Sequence, residues 1–210
     1  MPLILALDNS HQTLLSLALY EDDSCLGHLQ IQTTFHNSST AQMVDRTDAL
    51  LKSANHTIQD ITIYIVNRGP GSFTGLRSSM AFAQGLALSS GAPLYGISAF
   101  EALQTGYTQT SPSEKTAYLL DTKCQSYYVG LHSGNAWQHD VVTFEKIDVF
   151  LEENNVKTVV SDNPKPNELN FDGLWIIKTP DARLLVNAWH RHQNQQALIN
   201  PQILYLKSPV

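Results

Sequence analysis

Cysteine is scarce in this chain, and its two thiols lie far apart in the sequence. Cys25 and Cys124 are the only cysteines in 210 residues, and they fall in predicted strands of different halves. A small secreted scaffold held together by disulfides needs several cysteine pairs. The composition therefore excludes that class of protein and is typical of reduced thiols in the cytosol.

Long apolar runs are also lacking. No run approaches the roughly 20 apolar residues that a membrane-spanning helix requires. The first apolar stretch, residues 3–7, stops at Asp8 and has no basic residue before it, so it predicts a strand rather than a signal peptide. We therefore expect a cytoplasmic protein that makes no contact with a membrane.

Basic residues are too few for strong binding to nucleic acid. The chain has 13 Lys and Arg residues against 19 Asp and Glu residues, which gives a net charge of −6 at pH 7. Binding to a phosphate backbone normally requires several clustered Lys or Arg side chains. No such cluster is present in the sequence, so we expect the isolated chain to bind nucleic acid weakly.

The residue patterns of metal sites and activated nucleophiles are missing as well. None of the eight histidines has a second histidine four residues away, the spacing that places two metal ligands on one helical face. Ser10 and Ser72 lie in predicted turns, but no sequence feature supplies a base to activate either hydroxyl. We expect no catalytic residue, no bound metal and no cofactor in this chain.

What the sequence does contain is an α/β pattern that occurs twice. The first half predicts three antiparallel strands, followed by helix, strand, helix, strand and helix. Residues 117–121 and 126–131 then repeat the pattern of residues 4–8 and 14–19, with Asp121 in the place of Asp8. We predict a duplicated α/β protein with lobes at residues 1–106 and 107–210, the second lobe being shorter.

A glycine-rich loop joins a predicted strand at residues 61–66 to a predicted helix that begins at Leu76. Its central residues are Gly69, Pro70, Gly71, Ser72, Phe73, Thr74 and Gly75. Such a loop can hold an anion on the free N–H groups at the start of the helix. It can equally form a tight corner that lets the helix pack closely. The spacing of the glycines favours neither alternative.

Two predicted helices, at residues 41–54 and 76–89, have features of a subunit interface. The second is rich in small residues, which allow another helix to approach closely. Arg77 is unfavourable in the first turn because of the helix dipole, so we expect it to have a partner, within the chain or on another subunit. Burial inside the monomer is the competing explanation. The candidate interface residues are Val44, Thr47, Leu51, Arg77, Met80, Phe82, Gly85 and Leu86, and Met80, Phe82 and Leu86 are the candidate anchors.

Several motifs, in this order along the chain, resemble the TsaB (YeaZ) family. They are Leu5–Ser10, Gly69–Arg77, Gly85–Ala87, Ser98–Leu103, Leu120-Asp121 with Tyr127, Pro180–Ala182, and Pro201 with Tyr205–Lys207. The resemblance implies an α/β fold of the actin-like and Hsp70-like ATPase superfamily, made of two ribonuclease-H-like lobes of which the second is shortened.

The resemblance also implies a function. TsaB proteins are non-catalytic scaffold subunits of the machinery that forms N6-threonylcarbamoyladenosine at position 37 of tRNAs that read ANN codons. They pair with the catalytic TsaD subunit, and the ATPase TsaE joins them. On this basis we expect the chain to meet tRNA only within the complex, and to form a homodimer through its two helices when it is alone.

An enzymatic function is the alternative, either a weak ATPase of this superfamily or a glycoprotease-like peptidase. In superfamily ATPases a carboxylate after the first strand helps to position magnesium-bound phosphates. Asp8, Ser10 and Asp121 are therefore candidate nucleotide contacts. The competing interpretation is that each aspartate accepts backbone hydrogen bonds within a hairpin turn.

Overall fold

The computed structural model describes residues 1–32, 39–107, 115–133, 136–192, 198–199 and 201–206. Its strands are β1 Leu3–His11, β2 Leu14–Glu21, β3 Ser24–Gln32, β4 Ile63–Asn67, β5 Leu94–Ile97, β6 Lys115–Asp121, β7 Ser126–Ser133, β8 Ala136–Thr143, β9 Val156–Ser161, β10 Leu174–Ile177 and β11 Leu198–Ile199. Its helices are α1 Ser39–Ser53, α2 Phe73–Ser90, α3 Ala99–Thr105, α4 Ile147–Glu153 and α5 Ala182–His192, with 3-10 turns at Ile58–Asp60 and Phe144–Lys146.

The chain divides into two units. The first comprises the described residues of Met1–Ala102 and Pro180–Leu204, and the second those of Leu103–Thr179 and Tyr205–Val210. The sheet of the first unit has the strand order β11-β5-β4-β1-β2-β3, and that of the second has the order β10-β9-β6-β7-β8. Strands β3-β2-β1-β4-β5 thus have the same order as β8-β7-β6-β9-β10, which confirms the predicted duplication of an α/β unit.

The central strand β1 is apolar on both faces because helices cover both sides of its sheet. Leu5 and Leu7 belong to the core cluster that also contains residues of α1 and α2, such as Met43 and Met80. Ile4 and Ala6 alternate with them and belong to the cluster formed with α5. These residues of β1 are all fully buried. The continuous apolar run at the start of the chain therefore corresponds to a strand between two layers of helices.

The second unit has its own core under one face of its sheet. Ala117, Leu119 and Val129 from the strands pack with Ile147 and Leu151 from α4. The strand pairs β6–β7 and β7–β8 are antiparallel, whereas β6–β9 and β9–β10 are parallel. This is the same mixture of pairings that β1 to β5 form in the first unit.

The structure differs from the predicted lobe boundaries for residues 180–204, which the sequence placed in the second lobe. Helix α5 packs on the first sheet, where Leu185 and Ala188 share a core cluster with Ile4. The backbone N–H of Ala182 also donates a hydrogen bond to Ser16 Oγ on β2, at 3.1 Å. A late segment of the chain therefore completes the first unit.

Helix α2 begins earlier than its sequence pattern predicts. Ser72 caps it, with Oγ accepting a hydrogen bond from the N–H of Gly75, so Phe73, Thr74 and Gly75 form the first helical turn. The helix ends at Gly91, which adopts the left-handed conformation with φ of 74°. Apolar periodicity misses a first turn of this kind because only one of its three residues is large and apolar.

Candidate functional site

The glycine loop packs directly against the end of β1. The backbone N–H of Ser72 donates to the carbonyl oxygen of Ser10 at 2.7 Å. A Cβ atom on Gly71 would lie 2.6 Å from that same oxygen. Gly69 has φ of +103°, a conformation that side chains rarely tolerate. These contacts are those of a tight corner between β1 and α2, and anion binding by the loop stays a prediction.

Three buried polar side chains join the ends of β1 and β4 beside this loop. Asn67 Nδ2 donates to Asp8 Oδ2 at 3.1 Å and to Ser10 Oγ at 3.0 Å. Asn67 Oδ1 accepts the N–H of Gly69 at 2.8 Å, which fixes the orientation of the amide. Sequence reasoning did not select Asn67. The available signal was its position, since it follows the apolar run of β4 as Asp8 follows that of β1.

Burial raises the pKa of the Asp8 carboxyl, although hydrogen bonds from Ser10 and Asn67 act in the opposite direction. The Asp8 side chain is only 3% exposed. One of its oxygens accepts the N–H of Ser10 at 2.8 Å, and the other accepts from Asn67. A raised pKa disfavours the ionised carboxylate that a magnesium ligand requires. This geometry fits a carboxyl that accepts a local backbone hydrogen bond, although the bond lies within β1 and not in the turn at residues 12–13.

Asp121 accepts an equivalent backbone hydrogen bond in the second unit. Its Oδ1 accepts the N–H of Lys123 at 2.6 Å, two residues further on, as Asp8 accepts that of Ser10. Its Oδ2 pairs with Lys123 Nζ at 2.8 Å. Asp121 therefore stabilises the hairpin turn after β6, whereas the bond from Ser10 to Asp8 lies inside β1, where its pairing with β2 is irregular between Asp8 and His11. Contact of Asp8, Ser10 or Asp121 with a nucleotide stays a prediction.

Replacing Asn67 with aspartate should make the stability of the first unit strongly dependent on pH. A second buried carboxyl would lie against Asp8, and each would raise the pKa of the other. Carboxyls whose pKa is higher in the folded state bind more protons there, so stability is greatest below about pH 4 and falls as the pH rises through the raised values. Urea unfolding between pH 4 and 8 measures this slope.

The matched control for this experiment is Asn67→Ala, which loses the same hydrogen bonds without adding a carboxyl. Because Asn67 lowers the pKa of Asp8, we expect the loss of stability in this variant to grow with pH, but less steeply than in Asn67→Asp, which adds a second buried carboxyl. If Asn67→Asp and Asn67→Ala show the same pH dependence, Asn67 does not contact Asp8 as described.

The candidate interface residues of α1 and α2 divide into buried and accessible groups. Thr47, Leu51 and Met80 are 3, 3 and 5% exposed. Met80 lies in the core of the first unit and does not present its side chain to a partner. Val44 on α1 is 58% exposed, and Gly85 on α2 is also exposed. The surface available to a partner is therefore narrower than the sequence suggests.

A groove lies between α1, the 3-10 turn at Ile58–Asp60 and α2. It has a volume of about 330 Å³. The residues that line it include Val44, Thr47, Leu51, Ile58, Phe82 and Leu86. We call it the α1–α2 groove. Phe82 and Leu86, two of the three candidate anchors, thus lie in one accessible apolar depression.

Leu88 is a surface residue that sequence reasoning missed. It is 88% exposed near the end of α2, on the same outward face as Ala81 and Gly85. The sequence did contain a signal for this face, because residues 81, 85 and 88 have helical spacing. They lie on a different side of α2 from its buried residues, such as Leu76, Met80 and Ala83. Large apolar side chains with this exposure commonly mark an interaction surface when others lie beside them.

Arg77 has an aromatic contact within its own helix. Its guanidinium carbon lies 3.8 Å from the centroid of the Phe73 ring, one turn earlier on α2. This cation–π contact is of the kind that contributes about 0.5–1 kcal/mol at exposed sites. It supplies an interaction within the chain for a cation that the helix dipole disfavours.

Neither a metal-binding cluster nor a membrane-spanning helix occurs in the described ranges of the chain. In those ranges, no three His, Cys, Asp or Glu side chains come close enough together to hold a metal ion. No helix there has the length and apolar character needed to cross a membrane.

Solved structures with a similar fold define the class of protein. A Pseudomonas aeruginosa protein with similarity to the peptidase YEAZ superposes with a TM-score of 0.79 at 19% identity, over 99% of this chain and 100% of that one. YeaZ from the same organism superposes with a TM-score of 0.73 at 20% sequence identity, over 97% of this chain and 98% of that one. An inorganic polyphosphate/ATP-glucomannokinase from Arthrobacter superposes with a TM-score of 0.53 at 8% sequence identity, over 93% of this chain and 100% of that one. The chain has the actin-like, ribonuclease-H-like α/β fold.

Sequence comparison places the chain in a family. The model of the family described as TsaD, tRNA N6-adenosine threonylcarbamoyltransferase, matches residues 33–158. The tRNA threonylcarbamoyladenosine biosynthesis protein TsaB of Escherichia coli K12 is 29% identical over 125 residues, 60% of this chain and 52% of that protein. TsaB of Bacillus subtilis 168 is 31% identical over 100 residues, which are 48% of this chain and 42% of that protein. The chain belongs to this family, as a TsaB (YeaZ) protein, and its matches span about half the length of these two relatives.

Proposed function

We propose that this chain takes part in tRNA threonylcarbamoyladenosine biosynthesis as a non-catalytic scaffold subunit that pairs with TsaD. The names of its curated relatives support the pathway. A TsaD-family transferase of Lawsonia intracellularis is 33% identical over 100 residues, so chain and partner are related in sequence. In this proposal the complex is cytoplasmic, TsaE joins it, and tRNA is bound by the assembly rather than by this acidic chain alone.

The observation that carries the proposal is the apolar surface on α1 and α2. Val44 is 58% exposed and lines the α1–α2 groove together with Phe82 and Leu86. Leu88 is 88% exposed on the outward face of α2, next to Gly85. Gly85 adds no side chain to this surface, so another helix can approach α2 closely. A standard interface covers about 800 Å² on each partner around a few apolar anchors. The same surface would pair with a second copy of this chain when TsaD is absent.

Reconstitution of the pathway tests the scaffold function. Purified TsaD, TsaE and the enzyme that supplies threonylcarbamoyl adenylate would be mixed with tRNA, threonine, bicarbonate and ATP, with and without this chain. We expect formation of the modified nucleoside, measured by mass spectrometry of digested tRNA, to depend on the chain. Equal product without it would rule out the scaffold function.

The same purified chain tests the enzymatic alternative. A weak ATPase would release phosphate from Mg-ATP, and a glycoprotease-like peptidase would cleave a glycoprotein substrate, each without other subunits. We expect neither reaction above the level of a heat-denatured sample. Turnover by the isolated chain would favour the enzymatic alternative over the scaffold.

A further inference from the structure

The second unit has a cavity of its own. It has a volume of about 350 Å³ and lies where the start of β7, the 3-10 turn after β8, the start of α4 and the segment between β9 and β10 meet. This volume is within the range of about 300–1,000 Å³ that is common for ligand sites. We call it the β7–α4 cavity, and the residues that line it include Phe144, Glu145, Ile147, Asp148, Glu168 and Leu169.

An aromatic ring is exposed at this cavity. Tyr127, Ile147 and Leu169 also line it, but they are buried and belong to the core of the second unit, so packing holds them in place. Phe144 differs from them because it is 42% exposed, with its ring centroid 4.7 Å from that of Tyr127. Exposed apolar surface of this kind commonly marks an interaction site when it adjoins a cavity.

The charged part of the lining is entirely acidic. Glu145, Asp148 and Glu168 line the cavity, whereas no basic residue of the described chain does. Lys146 and Lys165 adjoin lining residues in sequence but do not line the cavity themselves. Within the described ranges, none of the three carboxylates forms an ion pair. A cavity lined by charges of one sign attracts a ligand of the opposite sign.

The phenol of Tyr127 responds to the same excess of negative charge. Burial raises its pKa to about 12, and the carboxylates of Asp121 and Asp162 act in the same direction. The phenol is therefore neutral at physiological pH, and the two rings offer an uncharged aromatic surface within an acidic environment. A phosphate group would be repelled here, which argues against a nucleotide or a tRNA backbone as the occupant.

A guanidinium group on an apolar stem matches these features. It is planar, stacks on aromatic rings and can donate hydrogen bonds to carboxylates through several N–H groups. An ammonium group has no flat face and is more strongly hydrated. Free arginine would bring its own carboxylate towards the acidic lining, whereas an arginine inside a polypeptide carries no such charge. Arginine is also enriched among the residues that dominate binding energy at protein interfaces.

We propose that the β7–α4 cavity binds an arginine side chain of a partner protein, with the guanidinium group against the Phe144 ring and paired with the lining carboxylates. The inference goes beyond the scaffold function, because it concerns the second unit and makes no use of α1 or α2. It gives the second unit a binding surface that recognises positive charge on an exposed segment of a protein.

Titration of the isotope-labelled full chain with short peptides, followed by NMR, tests the site. The probes are acetyl-Gly-Arg-Gly-amide and the same peptide with lysine or with citrulline in place of arginine. We expect the arginine peptide to shift the amide signals of residues 144–148 saturably, with a dissociation constant of about 1 mM. The lysine peptide should bind about fivefold more weakly because it cannot stack. Citrulline has nearly the same shape without the charge, so its peptide should show no saturable shift.

Variants of the lining separate the ring from the charges. Phe144→Leu keeps an apolar side chain but removes the ring, and it should bind the arginine peptide about fivefold more weakly. Glu145→Gln combined with Glu168→Gln should weaken binding about tenfold, because two exposed ion pairs are lost. Glu152→Gln combined with Glu153→Gln is the matched control, since it removes the same charge from exposed positions of α4 that do not line the cavity. It should bind within about twofold of the unmodified chain.

Several results would overturn the inference, provided that circular dichroism shows each variant to be folded. They are the lack of saturable binding by the arginine peptide, equal binding of the citrulline peptide, and an equal loss of affinity in the two double variants. Equal affinity for the lysine peptide would overturn the assignment of a guanidinium group. Tighter binding of free L-arginine than of the peptide would assign the cavity to a small molecule instead of a protein. None of these measurements uses TsaD, so their failure would leave the proposed function intact.

Discussion

A Gly75→Ala variant should be less stable than the unmodified chain by about 3 kcal/mol or more, a large part of the stability of a typical domain. Gly75 lies in the first turn of α2, where the helix passes over the end of β1. An added Cβ would overlap the carbonyl oxygen of Asn9 and lie 3.1 Å from the carbonyl carbon. Because the obstructing atoms belong to the backbone, no change of rotamer relieves the overlap. The helix would have to move away from the strand.

Movement of α2 would break other contacts at the same corner. Asn9 Nδ2 donates to the carbonyl oxygen of Gly75 at 3.3 Å and to Ser78 Oγ at 3.1 Å. The N–H of Ser72 would also lose its bond to Ser10. A single added methyl group would thus break several hydrogen bonds, because all of them require the close approach of α2 to β1.

Gly85→Ala in the same helix is the matched control. A Cβ at this position would have no heavy atom within 4 Å. We expect it to increase stability by about 0.5–1 kcal/mol, because alanine restricts the unfolded chain and favours the helix. Urea unfolding followed by circular dichroism measures both variants. Equal stability of the two would mean that α2 does not contact β1 in this way.

The sequence predicted the order of the elements well, because each has a clear local pattern. Strand β5 and strand β10 have the predicted limits, and Ser98 and Glu101 form the predicted capping box. The repeat was visible because an aspartate ends the apolar run of the first strand in both halves. Local hydrogen bonds and side-chain periodicity carry this information.

Contacts between distant parts of the chain were not predictable in the same way. Periodicity shows that residues share a helical face, but it does not show which face another element covers. The helical spacing therefore predicts Met80 as an interface anchor, although α2 directs its side chain into the core of the first unit. The packing of α5 on that sheet, and the contact of Asn67 with Asp8, likewise depend on residues far apart in sequence.

Gly85→Arg should reduce the affinity for TsaD by about 100-fold or more, equivalent to about 2.7 kcal/mol, while the free chain stays folded. The open space at Gly85 accommodates a long side chain in the monomer. In a complex, the same side chain would place a charge between α2 and the approaching partner, beside Leu88 and the groove. Desolvating that charge without a partner of opposite sign is unfavourable.

Two further arginine variants separate a docking defect from other effects. Asn170→Arg adds the same charge at an exposed position of the second unit and should bind TsaD normally. Met80→Arg should unfold the first unit, because Met80 is only 5% exposed, so its loss of binding would have a different cause. Size-exclusion chromatography with TsaD and circular dichroism of each free variant distinguish these outcomes. If Gly85→Arg still binds TsaD with normal affinity, TsaD contacts a different surface of the chain. A partner that packs closely on this face of α2 would have to bury the arginine.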